Sequence, residues 1–138
     1  SQIVPNAYDI KVVGTTAYVV DEHEGLFILD VTDPTAITEL SRLPIGGIQR
    51  DLQVQDTFVY IAAGPLGLAI VDATDPANPT IASFVDAPGT VTRVGVSGDY
   101  AAVAAWNDTR VYDVSDRATP AFRCRRLQPP GTTRSPWR

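Results

Sequence analysis

A short acidic turn recurs three times along this chain at nearly equal intervals. Its copies lie at residues 30–34 (DVTDP), 72–76 (DATDP) and 113–116 (DVSD), which are separated by 42 and 41 residues. The repeated register extends well beyond the turn, from residue 8 to about residue 120. Such a period predicts one supersecondary unit that is repeated three times, and this limits the possible folds before any residue is considered for chemistry.

Each copy contains four short runs that are rich in Val, Ile, Tyr and Ala and are separated by turn residues, which is typical of strands. In the first copy these runs lie at residues 8–13, 17–20, 26–31 and 37–43. None of them shows the i, i+3, i+4 spacing of an amphipathic helix. The third run is apolar on both of its faces, so we expect it to be buried from both sides.

Four antiparallel strands with two apolar faces need neighbouring sheets in front of them and behind them. The sequence therefore predicts an all-β fold made of three four-stranded antiparallel blades of a β-propeller. We place the blades at residues 8–43, 50–85 and 92–127, and an unstructured basic tail at residues 128–138. A β-sandwich is the second interpretation, although it would need no such period. A solenoid of parallel strands is the third, but its repeats are shorter.

Three blades are too few for a closed ring, since propellers use roughly four to eight. We therefore expect an incomplete ring, which is either a fragment of a longer protein or a chain completed by the blades of other chains. The open blade faces should carry apolar residues such as Ile10, Phe27, Val103 and Tyr112. Exposed apolar area of this kind favours association, so the sequence predicts self-association or poor solubility of the isolated chain.

Charge is divided unevenly along the chain. Residues 1–116 carry 16 acidic and 5 basic side chains, whereas residues 117–138 carry 6 arginines and no acid. The acidic body argues against nucleic acid and anionic membranes as partners, and no apolar run is long enough for membrane insertion. Three interpretations of the arginine-rich end stay open: a nucleic-acid-binding tail, a reading-frame error or cloning scar, and natural divergence. We expect this end to leave the fourth strand of the third blade frayed or absent.

The best local signal for chemistry is an acidic loop between the second and third strands of the first blade. In a propeller such loops share one face with the connections between blades, around the central channel. The loop consists of Asp21, Glu22, His23 and Glu24. Carboxylates around the only histidine could hold a divalent cation or raise the imidazole pKa for acid–base work. The alternative is a solvated acidic loop, because the other two copies carry no acid-rich cluster there.

Arg50, Arg93 and Trp106 are further candidates for ligand binding on the same face. Arg93 shares one repeat position with Asp9 and Asp51, at the start of the innermost strand, where side chains could line the mouth of the channel. The alternative for the two carboxylates is hydrogen bonding to neighbouring backbone. Trp106 could stack on a sugar or anchor a protein partner if exposed, and otherwise packs over the edge of its blade.

Other recurring residues are expected to be structural. Asp30, Asp72 and Asp113 end the third strand of each copy, where a carboxylate can accept N–H bonds from the following turn. Tyr18 and Tyr60 repeat on the second strand and should lie in the core.

The sequence contains no catalytic motif, phosphate loop or metal-ligand pattern. The chain has one histidine and one cysteine, Cys124, so a zinc site is nearly excluded. Calcium needs more oxygen ligands than the acidic loop supplies for a tight site, but weak calcium binding through Asp21, Glu22 and Glu24 stays open. We therefore predict no catalytic residue, no metal and no cofactor.

Two long segments resemble the LVIVD repeat. They are residues 25–34 (GLFILDVTDP) and 67–76 (GLAIVDATDP), whereas the third copy has Arg117 at the turn proline and Asp108 with Thr109 in place of Gly-Leu. The family is found in bacterial and archaeal surface or secreted proteins and is taken to form propellers. The resemblance therefore implies a propeller and an extracellular or cell-surface location, but it implies no particular activity.

Two functions are compatible with these observations. The first is a non-catalytic propeller segment that acts as a binding or display module of a secreted or surface protein, with a protein or a carbohydrate as its ligand. The second is a fragment of a propeller hydrolase or lactonase with a metal or carboxylate site at the central channel. Inward-facing His, Asp, Asn or Glu at equivalent positions of further blades would favour the enzyme.

Overall fold

The computed structural model describes residues 6–87, 89–105 and 108–127, and all of its regular elements are strands. The predicted basic tail lies outside the described residues. The twelve strands are β1 Ala7–Val13, β2 Thr16–Asp21, β3 Gly25–Asp30, β4 Thr38–Leu43, β5 Asp51–Gln55, β6 Phe58–Ala62, β7 Leu68–Asp72, β8 Thr80–Val85, β9 Val91–Ser97, β10 Tyr100–Ala105, β11 Asp108–Asp113 and β12 Ala121–Leu127.

The strands form three separate sheets, each built from four consecutive antiparallel strands. The orders are β1-β2-β3-β4, β5-β6-β7-β8 and β9-β10-β11-β12, so no strand crosses into the sheet of another repeat. The register shift between the third and fourth strands falls at the same place in each sheet, after Ile28, Ile70 and Val111. The predicted architecture of three four-stranded antiparallel blades is therefore confirmed, and we call the sheets blades 1, 2 and 3.

Each blade ends its third strand in a double aspartate turn. Asp30, Asp72 and Asp113 each accept hydrogen bonds from the backbone N–H and the hydroxyl of the residue two positions later, with the three N–H donors at 2.9–3.0 Å. The second aspartate of each turn (Asp33, Asp75 or Asp116) likewise accepts a hydrogen bond from the backbone N–H of the residue two positions later. The prediction that the recurring aspartates are structural is confirmed.

The blades pack face to face, and the middle blade is buried on both sides. Between blades 1 and 2, buried side chains of β2 and β3 meet those of β6 and β7. Between blades 2 and 3, the opposite faces of β6 and β7 pack against β10, β11 and Val114, the residue after β11. Tyr18 and Tyr60 lie in these two cores at 7% and 0% exposure, as predicted.

The prediction of which residues lie on the open faces is wrong for Val103 and Tyr112. Ile10 is 52% exposed, but Val103 and Tyr112 are buried in the core between blades 2 and 3. The pleat turns those two side chains toward blade 2 and turns Ala102 and Ala104 of β10 to the other face. Phe27 does lie on the outer face of blade 1, in a cluster with Val19 and Leu29. It is nevertheless fully buried, with the guanidinium carbon of Arg42 4.5 Å from its ring centroid.

The first strands of the blades converge, and polar bonds tie each blade to the next. Strand β1 contacts β5, and β5 contacts β9, which places these strands innermost. The backbone N–H of Leu52 donates to Oδ2 of Asp9 at 3.2 Å, and that of Val94 donates to Oδ2 of Asp51 at 3.0 Å. The two bonds occupy equivalent positions, so they form part of a repeated blade interface.

A second repeated hydrogen bond joins the fourth strand of blades 1 and 2 to the aspartate turn of the next blade. The hydroxyl of Ser41 donates to the carbonyl oxygen of Pro76 at 2.6 Å, and that of Ser83 donates to the carbonyl oxygen of Arg117 at 2.8 Å. In β12 the equivalent position holds Cys124, which pairs with Val111 as the two serines pair with the residues of their third strands. Blade 3 therefore departs from the repeat at this serine position.

The expectation that the fourth strand of blade 3 is frayed or absent is wrong. Strand β12 pairs with β11 from Asp113 opposite Ala121 to Asp108 opposite Leu127. Its pairing relies on backbone groups, which arginine supplies as well as any other residue. Phe122 also packs edge-on against Tyr112 with a centroid distance of 5.8 Å. An arginine-rich sequence on an outer strand is thus compatible with a complete blade.

Arg117 replaces the turn proline of the repeat and makes contacts that proline cannot make. Its Nε donates to the hydroxyl of Tyr60 at 2.9 Å, and its guanidinium carbon lies 5.1 Å from the ring centroid of Phe58. Both partners belong to β6, so Arg117 fastens the turn of blade 3 to blade 2.

Replacement of Gly67 by alanine should strongly destabilise the fold. An added Cβ would lie 2.1 Å from the carbonyl oxygen of Val85, and the φ of Gly67 is +93°. Both the contact and the backbone conformation disfavour a side chain, so the free energy of unfolding in urea should fall by more than about 2 kcal/mol.

The matched control is Gly14→Asn. Gly14 has a φ of +61° with nothing within 4 Å of an added Cβ, and Asp56 adopts a φ of 56° at the equivalent position of blade 2. This change should cost about 1 kcal/mol or less. Equal losses in the two variants would contradict the steric explanation.

The turn carboxylates should make the fold sensitive to acid. Hydroxyl bonds from the side chains two residues later, and then backbone N–H bonds, lower the pKa of Asp30, Asp72 and Asp113 below the usual 3.8. A carboxyl with a depressed folded pKa stabilises the fold above its unfolded pKa, and this contribution is lost as the pH falls through the folded value. The melting temperature should therefore fall between about pH 5 and about pH 2.

The Thr74→Val variant tests the cause of that acid sensitivity. It removes the hydroxyl that bonds to Asp72, so its melting temperature should lie below that of the native chain at neutral pH. The difference should shrink in acid, where the native carboxyl is protonated as well. A melting temperature that stays constant or rises on acidification would contradict the prediction.

Candidate ligand-binding site

The loops that were expected to surround the channel lie together at one end of the blades. The backbone N–H of Gln49, just before β5, donates to the carbonyl oxygen of Glu22 in the β2–β3 loop at 3.1 Å. In the next repeat Gly64, in the β6–β7 loop, exchanges two backbone bonds with Val91 at the start of β9. We call the end of the blades that carries these loops and strand starts the channel end.

Asp21 holds the acidic loop in shape. Its side chain is fully buried and accepts hydrogen bonds from the backbone N–H groups of Asn6, His23 and Glu24 at 2.8–3.0 Å. Burial raises the pKa of Asp21, but these donors, led by His23, outweigh it and keep the pKa below its usual value. The carboxylate is therefore occupied within the protein.

His23 and Glu22 pair with each other at the surface of the acidic loop. The side chain of His23 is 63% exposed, and its Nε2 lies 3.4 Å from Oε1 of Glu22. Within residues 6–87, 89–105 and 108–127, no group of three or more His, Cys, Asp or Glu side chains is arranged to hold a metal ion. The structure does not bring the four predicted residues of this loop into one cluster.

Arg50 and Arg93 share a pocket at the channel end. The pocket has a volume of about 200 Å³ and is also lined by Tyr8, Thr90 and Thr92. Tyr8, Arg50 and Thr92 occupy equivalent positions of the three blades, at the start of each innermost strand. Tyr8, Thr90 and Thr92 were not among the site residues predicted from sequence, although Tyr8 and Thr92 share the repeat position of Arg50.

Tyr8 positions Arg50 across the boundary between blades 1 and 2. Nη1 of Arg50 donates to the hydroxyl of Tyr8 at 2.9 Å, and the guanidinium carbon lies 5.2 Å from the ring centroid. This combines a hydrogen bond with a cation–π contact. Arg93 is exposed, and its guanidinium makes no hydrogen bond or ion pair within the described part of the chain.

Asp9 and Asp51, the neighbours of these residues in the chain, carry carboxyl groups that shift each other's pKa. Burial raises the pKa of Asp51, which is 6% exposed. The hydrogen bond from the backbone N–H of Val94 opposes this rise in pKa, and the interaction with the Asp9 carboxyl adds to it. The pKa of Asp9 is lowered despite partial burial, first by the bond to Asp51 and then by two backbone N–H groups. Each carboxylate also accepts a backbone N–H bond from the innermost strand of the next blade. The structure therefore shows the predicted alternative, which is hydrogen bonding to neighbouring backbone.

The remaining candidate, Trp106, lies outside the described residues. The described part of the chain also contains no helix with the length and apolar character needed for a membrane crossing.

Three four-stranded sheets whose first strands converge define this chain as a β-propeller repeat protein. The N-terminal domain of Nup159, a β-propeller, superimposes with a TM-score of 0.62 at 12% identity, over 94% of this chain and 33% of that one. A complex of S. cerevisiae Dbp5 bound to Nup159, Gle1, IP6 and ADP contains a chain that matches with a TM-score of 0.63 at 12% identity, over 91% of this chain and 32% of the other. The present chain thus spans about a third of each of these chains.

The chain belongs to the LVIVD repeat family, whose model matches residues 6–43, 46–87 and 88–125. The resemblance stated from residues 25–34 and 67–76 is confirmed, and the third copy matches as well despite Arg117 and Asp108. No curated protein is similar enough in sequence to count as a match.

Removal of the Asp51 carboxylate should weaken the contact between blades 2 and 3. In Asp51→Ala the buried N–H of Val94 loses its acceptor, which should lower the free energy of unfolding by about 1–3 kcal/mol. Asp51→Asn retains a side-chain oxygen that can accept the bond and should cost clearly less. Urea titrations of both variants measure the difference. Equal stabilities would show that this bond does not hold the blades together.

Proposed function

We propose that this chain is a non-catalytic ligand-binding segment of a secreted or cell-surface β-propeller, and that its ligand is a protein held at the channel end. The observation that carries the proposal is the pocket of Tyr8, Arg50, Thr90, Thr92 and Arg93. All five side chains can donate hydrogen bonds, and none is a histidine, cysteine or carboxylate, the usual general bases. Such a pocket is suited to holding a ligand rather than to transferring a proton.

The location and the type of ligand are inferred from two resemblances. The extracellular or surface location follows from the resemblance to LVIVD proteins of bacterial and archaeal surfaces. A protein ligand is favoured because a chain of similar fold occurs in a complex with other proteins. A carbohydrate ligand is less favoured, because Tyr8 is the one aromatic side chain among the described residues that line the pocket, and the Arg50 guanidinium covers one face of its ring.

The alternative is a propeller hydrolase or lactonase, and the carboxyl pair of Asp9 and Asp51 is the observation in its favour. Paired carboxyls with separated pKa values are typical of acid–base catalysis. Here, however, both carboxylates accept backbone N–H bonds from the next blade, and Asp51 is nearly buried. Their structural role accounts for the arrangement, so the binding module is the better interpretation.

Selection from a random peptide library displayed on phage tests the binding function. Immobilised native chain should enrich peptides that the double variant Arg50→Gln/Arg93→Gln does not enrich. Arg42→Gln is the matched control, because Arg42 lies on β4 and pairs with Glu39 at 3.1 Å, outside the pocket. It should enrich the same peptides as the native chain.

Hydrolysis assays on the same proteins separate the two functions. The native chain should hydrolyse p-nitrophenyl acetate and simple lactones no faster than buffer. Turnover that disappears in Asp51→Asn, together with no peptide enrichment, would favour the enzyme over the binding module. The surface location is checked by protease treatment of intact cells that make the full-length protein.

A further inference from the structure

We propose that the pocket of Tyr8, Arg50, Thr90, Thr92 and Arg93 binds the carboxylate of an acidic peptide segment. This inference rests on the proposed binding function and names the chemistry of its ligand. Its starting point is that two of the five arginines and lysines in residues 1–116 line one small pocket of an otherwise acidic body.

Arg50 is held ready for an anion. Its bond to the Tyr8 hydroxyl uses Nη1, and within the described residues its other guanidinium N–H groups make no hydrogen bond. Arg50 is half-buried, so part of its side-chain freedom is already lost in the free protein. A planar guanidinium presents parallel N–H groups that match the two oxygens of a carboxylate.

The other lining groups complete a set of donors. The Tyr8 oxygen accepts the bond from Arg50, which leaves its own O–H available to donate to a ligand. The hydroxyl of Thr90 can also donate, and Arg93 adds a second positive charge. The hydroxyl of Thr92 donates to the carbonyl oxygen of Ala104 at 3.5 Å, a long bond that it can exchange for a shorter one to a ligand. A ligand group that only accepts hydrogen bonds and carries negative charge fits this set best, and an ionised carboxylate is such a group.

The size of the pocket indicates part of a larger ligand. Its volume of about 200 Å³ is below the roughly 300–1,000 Å³ of pockets that enclose a whole small molecule. It is sufficient for the end of a glutamate or aspartate side chain, with the rest of the ligand outside. The acidic surroundings would repel a ligand that carries negative charge along its whole length, so the pocket should fix the position at which an acidic peptide binds.

Fluorescence anisotropy with defined peptides tests the inference on the full chain. The probes are a fluorescein-labelled Gly-Ser peptide with one central Glu, amidated at its C-terminus, and the same peptide with Gln in place of Glu. The native chain should bind the Glu peptide at least about tenfold more tightly, with an affinity that falls as salt is added. Arg50→Gln/Arg93→Gln should lose this preference, and Arg42→Gln should keep it.

Two further measurements keep the test decisive. Circular dichroism melts show whether the double variant is folded, and Thr92→Val gives a milder change that should weaken Glu-peptide binding severalfold. Equal binding of the Glu and Gln peptides by the native chain would overturn the inference, while enrichment of uncharged peptides by phage selection would still support the binding function. Tighter, Arg50-dependent binding of oligogalacturonate would overturn the peptide assignment and favour an acidic polysaccharide.

Discussion

The packing of each blade against the next is the interaction on which this structure depends. A single four-stranded sheet leaves two faces to cover, and blade 2 shows how they are covered: β6 and β7 are buried by blade 1 on one side and by blade 3 on the other. The aspartate on the innermost strand and the serine on the outermost strand then fix each interface at two points. Burial of apolar area supplies the attraction between neighbouring blades, and these hydrogen bonds fix how the blades align.

The sequence was sufficient to predict the number of blades and their strand order, because the period and the aspartate turns are local patterns. It did not predict the direction of individual side chains in blade 3. Strand β10 consists of alanine and valine after Tyr100, so no alternation of polar and apolar residues marks Val103 as facing blade 2. Composition was also misleading for β12, because an arginine-rich outer strand pairs with β11 from Ala121 to Leu127.

The candidate site was predictable only in part. Arg50 and Arg93 were placed at the channel end, and the structure gives them a common pocket. Their partner Tyr8 was missed because the equivalent positions of the three blades carry three unrelated side chains. Asp21 illustrates the opposite case: four adjacent polar residues suggest a ligand cluster, but only the folded loop shows that this carboxylate turns inward to cap backbone N–H groups.

Native-state hydrogen exchange followed by NMR tests the central role of blade packing most directly. If the stability of the fold comes from faces buried between blades, the amides of β6 and β7 should exchange most slowly and only through global unfolding. Those of β2, β3, β10 and β11 should exchange faster, through opening of the outer blades. Slower exchange in blade 1 or blade 3 than in β6 and β7 would contradict this account.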